Sequence, residues 1–312
     1  MRAKLLFGAA LRRGGQHGTI AARNHTSANK DGYAMAFRYA FCNEAFEDWE
    51  FGRICDYLAE HGYQGVEAAP FTFEQSVFDI TPEQRTGARE AAANAGLEIV
   101  GLHWLLVGPD GLHLTHPDQA VRQRTTDYLR GLIALGHDMN APYLVFGSPN
   151  QRNLPEGVSY EQGMACATEV FQSVCDEAQQ AGTVIAIEPL APPLCQFITT
   201  AAEGAELVRR VNHPAFKLHL DVKAMKTAEA APSADIIRAH VGEFPHFHAN
   251  DFNLKAPSFG DTDFIPIMQA LHDTGYDGYV SIEIFEFEPH ASVQAREGIR
   301  YLRECAAQVE NS

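Results

Sequence analysis

Long apolar runs are missing from this 312-residue chain; none approaches the ~20 residues that a helix needs to cross a bilayer, so no membrane partner is expected. Paired cysteines are missing too. The six (Cys42, Cys55, Cys166, Cys175, Cys195 and Cys305) are scattered without a CxxC pair and read as reduced, mostly buried thiols of a cytoplasmic protein. None stands beside a His/Asn pattern that would make it a nucleophile. Basic residues are scarce after the first 34 positions. Residues 1–34 hold six Lys/Arg and one acid, Asp31, whereas the rest holds 18 basic and 39 acidic residues, giving +5 and −21. So acidic a body repels a phosphate backbone at long range, and no nucleic-acid partner is expected.

Residues 1–34 are rich in Gly, Arg and Asn and lack sustained periodicity. They read as a disordered extension or as a start codon set too far upstream; an Arg-rich, acid-poor leader also fits a transit peptide. Residues 5–11 make a short apolar core for a secretory signal, and a double Arg follows them. The folded domain is expected over 35–312.

There the pattern alternates strand and helix. Strands are expected at 37–43, 65–69, 98–105, 143–147, 184–188, 216–222, 244–250 and 278–285, short apolar runs bounded by Gly, Pro and Asn. Between them lie amphipathic stretches with start signals such as Thr81-Pro82 and Asp118, and stop signals such as Gly62, Gly96, Gly182 and Gly275. Eight βα units without a linker predict an α/β chain folded as a single (β/α)8 TIM barrel. A doubly wound sheet is the alternative, but no Gly-rich phosphate loop follows the first strand.

Four of these strands end in a group suited to chemistry: Glu188, Asp221, His248 and Glu283, separated by 33, 27 and 35 residues. A barrel of about 250 residues allows roughly 31 per unit and gathers the carboxyl ends of its strands around one mouth. Three carboxylates and an imidazole converging there make a hard O/N site for a divalent metal. A buried strand-end acid is costly unless paired, hydrogen-bonded or coordinating, so a mouth ion pair is the plain alternative for Glu188, and a pair with Lys223 for Asp221. His246, one layer below His248, reads as structural.

Substrate contacts are expected from Glu67 and His103 at the ends of strands two and three, and from Asn43 on strand one. Lys223 is placed to hold a substrate oxygen. Arg152, in the tight loop after strand four, is placed to bind a carboxylate or phosphate, unless it pairs with Glu156 or Glu161. Trp104 and Phe71 are candidates for shielding the site from water.

The order Ile187-Glu188-Pro189, Leu220-Asp221, His246-Phe247-His248 with Asp251 following, then Gly275-Tyr276 and Gly278-Tyr279-Val280-Ser281-Ile282-Glu283 resembles the sugar phosphate isomerase/epimerase superfamily, over about residues 36–309. This is the xylose-isomerase-like TIM-barrel group that includes ketose 3-epimerases, hydroxypyruvate isomerase, inosose dehydratase and endonuclease IV. The segment Gly260-Asp261-Thr262-Asp263-Phe264 looks like a loop of the same group. The resemblance implies that Glu188, Asp221, His248 and Glu283 bind one metal, Mn2+ foremost, with Co2+, Mg2+ or Zn2+ as other ions. It implies also that Glu188 and Glu283 move protons. Departures are visible: Ala224 stands where the 3-epimerases carry a substrate-binding His, and Asn250, Asp251 and Asn253 stand where they carry an Arg. Endonuclease IV needs further His ligands, one of them at the Ala224 position.

These readings lead to a metal-dependent sugar isomerase or epimerase acting on a keto-sugar or related polyol through an enediolate. The alternatives are a metal-dependent dehydratase or lyase on a cyclic polyol or sugar-derived ketone, and a non-catalytic barrel subunit. A small-molecule sugar is the expected partner, and a homo-oligomer is compatible with the sequence.

Overall fold

The computed structural model describes residues 37–310, so the expected N-terminal extension lies outside the described residues. The strands are β1 (Arg38–Cys42), β2 (Gly65–Ala68), β3 (Glu98–Leu102), β4 (Tyr143–Phe146), β5 (Val184–Ile187), β6 (Phe216–Leu218), β7 (Leu220–Asp221), β8 (Phe247–Ala249) and β9 (Tyr279–Ile282). They pair in parallel in the order β6-β5-β4-β3-β2-β1-β9-β8-β7. Only His219 separates β6 from β7, so the two edges of the sheet are two halves of one stretch of chain. The sheet therefore curls into a nearly closed barrel.

Nine strands appear where eight were expected. The sixth divides at His219: Phe216–Leu218 pairs with β5, and Leu220–Asp221 pairs with β8. The expected end at 222 is cut back because the Asp221 carboxylate accepts from the Ala224 N–H and starts a helix there. The strand expected at 244–250 shrinks to the three residues of β8, preceded by Pro245, which has no N–H for a ladder.

Helices α1 (Phe51–Glu60), α2 (Pro82–Asn94), α3 (Gln119–Met139), α4 (Tyr160–Ala181), α5 (Ala201–Val211), α6 (Val222–Ala228), α7 (Ser233–Ala239), α8 (Ile265–Asp273) and α9 (Ala291–Glu310) lie between and after the strands. Thr81, Ser159 and Thr200 open α2, α4 and α5 with reciprocal caps involving Gln84, Gln162 and Glu203. The layer between sheet and helices is apolar; Phe171 packs there edge-to-face with Phe146 and tilted against Phe216, ring centres 5.1 and 4.5 Å apart. No helix among the described residues is long and apolar enough to cross a membrane.

The barrel interior departs from the usual layers of Val, Ile and Leu. Buried there are Glu67, His103, Glu188, His219, Asp221, His246, His248 and Glu283. Buried polar groups in such number are tolerated only where partners or ligands offset their desolvation.

Candidate active site

Glu188 and Glu283 stand one residue past β5 and β9, Asp221 ends β7, and His248 is the middle residue of β8. The carboxyl ends of parallel strands converge, and one donor atom from each of the four lies within 4.8 Å of the others. All four side chains are buried.

His248 is oriented from behind. Its Nε2 lies 3.2 and 3.1 Å from the two oxygens of Glu67, whose Oε2 also lies 2.8 Å from His246 Nε2. A carboxylate accepts, so Glu67 keeps a proton on His248 Nε2 and leaves Nδ1 with its lone pair toward the mouth. That Nδ1 sits 3.0 Å from Glu283 Oε2, an ion pair when the ring is protonated, and neither atom makes a well-aligned hydrogen bond. An unpaired buried polar atom costs ~1–3 kcal/mol. Two facing one another are what a cation between them would resolve.

Electrostatics agree. Burial, then the charges of Glu283 and Asp221, raise Glu188 well above the usual carboxylate range. Burial, then Glu283, push Asp221 up to about 6, although the Ala224 N–H and Asn250 Nδ2 both donate to it. Burial would raise Glu67 as well, but His246 and His248 offset it and hold the carboxyl well below the normal value. Three carboxylates converging with one imidazole make a donor set that a divalent ion could take.

A cavity of about 220 Å³ opens beside the group and is lined by both Glu188 and Glu283. His103 and Lys223 add polar walls, while Trp104, Leu254 and Phe285 are apolar ones. Trp104, Ser148 and Leu254, all on its wall, have φ of 54°, 43° and 70°, left-handed values that strain a residue with a side chain. A larger cleft of about 580 Å³ lies outside the barrel between α1 and α2. It touches Glu44 but neither Glu188 nor Glu283, so it does not open onto the convergent group.

Space for Glu188 is kept by an absence. A Cβ on Gly147 would come 2.5 Å from Glu188 Oε2. Gly147→Ala should therefore displace the carboxylate and cut turnover at least tenfold, with little change in thermal midpoint, because only the end of one side chain must give way. Paired rate and melting measurements check this; full turnover would show that the position of Glu188 is immaterial.

Several expected substrate contacts are placed elsewhere. Arg152 is not at the mouth and pairs with neither Glu156 nor Glu161. It is fully buried and donates to the carbonyls of Phe146, Glu188 and Ile198 and to Cys195 Sγ. Glu67 is also fully buried beneath His248, out of reach of a substrate hydroxyl. Asn43 spends its amide on Thr72 Oγ1 and the Ala69 N–H. His103 and Lys223 do line the cavity, and no ion pair joins Lys223 to Asp221 among the described residues. Trp104 lies at the wall, its ring 6.1 Å from Phe71 and 6.0 Å from Phe285. His246 is structural, stacked on Tyr143 at 5.3 Å.

Sequence reasoning missed Glu44, whose Oε2 holds His103 Nε2 at 2.7 Å, and Gly147. The one available signal for Glu44 was its position just past the first strand, beside Asn43.

The model of the family described as xylose isomerase-like TIM barrel matches residues 55–305. The D-psicose 3-epimerase of Ruminiclostridium cellulolyticum is 27% identical over 257 residues, covering 79% of this chain and 82% of that protein. A probable ketose 3-epimerase of Synechocystis sp. is 26% identical, over 78% of this chain and 86% of that protein. The solved structure of L-ribulose 3-epimerase superposes with a TM-score of 0.77 at 18% identity, over 88% of this chain and 96% of that one, a likeness of fold.

Proposed function

This chain belongs to the xylose isomerase-like TIM-barrel family, and from that premise we propose that it is a divalent-metal-dependent isomerase or epimerase of a keto-sugar or related polyol. The observation that carries the reading is the pair Glu188 and Glu283, lining one small cavity and sharing a point of convergence with Asp221 and His248. These four would hold the ion, Mn2+ first among the candidates. When bound, it supplies Lewis-acid polarisation of a carbonyl and eases the negative charge that develops on substrate oxygens.

The chain's own residues supply the rest. One of Glu188 and Glu283 takes the proton from the carbon next to the carbonyl, and the other gives a proton back. Return to the opposite face of the same carbon is epimerisation; return to the neighbouring carbon is isomerisation. Lys223 and His103 hold substrate oxygens, and Trp104, Leu254 and Phe285 keep bulk water from the exposed carbanionic centre. The relatives' names make ketoses the first substrates to test. Because Ala224, Asn250 and Asp251 replace polar groups expected from the resemblance, the preferred ketose differs from that of the 3-epimerases.

The test is incubation with a panel of ketoses and inososes in heavy water with Mn2+, Co2+ or Mg2+. Solvent deuterium on the carbon next to the carbonyl, together with an isomeric sugar, supports the proposal. Loss of water without isomer would make it a dehydratase, and no turnover of any member would favour a binding subunit.

Metal binding should also be coupled to pH. In the metal-free fold Asp221 titrates at about 6, above its unfolded value of 3.8. A raised carboxyl stabilises the fold below the unfolded value, and that contribution is lost as pH rises through the folded one. A cation reverses the loss but must displace the proton at low pH. The rise in melting temperature on adding Mn2+ should thus be larger at pH 8 than at pH 5; an equal or opposite response would contradict the assignment.

A further inference from the structure

For a sugar site, the cavity that Glu188 and Glu283 line is poor in free hydrogen-bonding groups. Beyond those two carboxylates, its polar side chains are His103, Lys223 and Ser148. His103 is already held by Glu44 at 2.7 Å, and Ser148 Oγ accepts from the Leu106 N–H. Trp104 Nε1, buried without a hydrogen-bond partner, adds one more donor. Neighbouring polar residues are committed elsewhere. Asn250 donates to Asp221 and accepts from the Lys223 N–H, and Arg152 is spent on the carbonyls of Glu188 and Ile198.

Apolar side chains take up most of the remaining wall. Trp104, Leu190, Leu254 and Phe285 line it. Trp104 and Leu254 are held there at φ of 54° and 70°, strained values that persist only where the surroundings over-determine them. This wall does not stop at the cavity. Leu194 lines it while 45% exposed, and Phe71, 38% exposed, has its ring 6.1 Å from that of Trp104. Leu194 lies in the loop leaving β5 and Phe71 in the turn after β2, both at the carboxyl end of the barrel. Apolar surface thus runs from beside the two carboxylates out to solvent.

We propose that the substrate is a keto-sugar bearing an apolar substituent, alkyl or aryl, on the part of the molecule away from the reacting carbonyl. That substituent lies along Trp104, Leu254, Phe285 and Leu194. A free ketose carries a hydroxyl on every carbon but the carbonyl. Each hydroxyl desolvated against this wall without a partner weakens binding by roughly fivefold to a hundredfold. A methylene buried in its place gains about fourfold. The wall therefore disfavours a bare sugar and favours one with an apolar arm. The inference rests on the proposed function for where the carbonyl sits, and it names the class of ketose that the site prefers.

The test uses the full chain with Mn2+ and a ketohexose series etherified at the terminal hydroxyl, from the free sugar through methyl and propyl to pentyl and phenyl. Solvent deuterium entering the carbon next to the carbonyl gives kcat and KM, and calorimetry gives affinity. The proposal expects kcat/KM to climb by up to about fourfold per methylene. KM should carry the change with kcat nearly constant, because the contact is the same in ground and transition states. The heat capacity of binding should grow more negative along the series, the mark of buried apolar surface. Leu194→Ser and Phe285→Ser should each flatten the slope within their own series; an unchanged slope in both folded variants overturns the wall as its cause. A flat or falling series in wild-type protein that exchanges the free ketose overturns the apolar arm and leaves the isomerase reading standing, and a second copy seated on the rim would give that result. Affinity that climbs with chain length while no member exchanges keeps the apolar subsite and sinks the isomerase reading. Neither exchange nor binding by any member sinks both.

Discussion

Glu188→Gln and Glu283→Gln are each expected to lower turnover by about 10²–10⁴-fold, the contribution of one well-placed acid or base. Both substitutions keep the size of the side chain and remove its basicity. They also remove a negative charge from a cluster in which burial, Glu283 and Asp221 already hold Glu188 well above the usual carboxylate range. Relief of that repulsion should raise the melting temperature of the metal-free Glu188→Gln protein while its activity falls. Opposite movement of stability and rate is the signature of a functional site, and it separates chemistry from misfolding. Because the two groups act in one sequence of proton transfers, the double variant should be little worse than either single one. Rates at saturating metal, set beside metal-free melting curves, check all three outcomes. Wild-type turnover in either single variant would end the assigned roles.

Arg152→Met is expected to be the most destabilising single change near the site, by about 3–5 kcal/mol, because it strands buried carbonyls of Phe146, Glu188 and Ile198. The guanidinium is fully buried, and its strongest bond, 2.6 Å, goes to the carbonyl of Glu188. A second, 3.2 Å, goes to Ile198, tying the end of β5 to the loop beyond it. Methionine fills most of the space but leaves those carbonyls buried and unpaired, each costing ~1–3 kcal/mol. Such a loss is a large fraction of ordinary domain stability, so soluble yield should fall too. Urea unfolding measures it. A change below about 1 kcal/mol would mean that water takes over the carbonyls and that Arg152 is no brace.

The strand ends were legible because a short apolar run closed by an acid or imidazole is unusual, and four at barrel spacing are more so. Period-2 alternation placed Glu188, Asp221, His248 and Glu283 in one layer, and the structure does bring them together. Glu67 was misplaced for a different reason. It was read as the end of strand two, but β2 runs on to Ala68, so the side chain lies one step below the mouth, under His248. Arg152 was misread for another reason. The loop from Ser148 through Arg152 turns back into the protein, while Glu161, one of its supposed partners, binds Arg210. Glu44 was invisible because a 3-10 turn, not a strand, carries it over the barrel. The division of β6 from β7 is likewise tertiary: Phe216 to Asp221 alternates without a break in sequence, and the change of neighbour comes only from closing the sheet.

That seam at His219 carries a mechanical implication. Only Leu220 and Asp221 stitch the closing edge to β8, as few rungs as join β3 to β4. Asp221 is itself one of the four convergent donors, so one of the two thinnest joins lies at the point of convergence. An ion held there would act as a clasp on the hoop, coupling occupancy of the site to the rigidity of the whole ring.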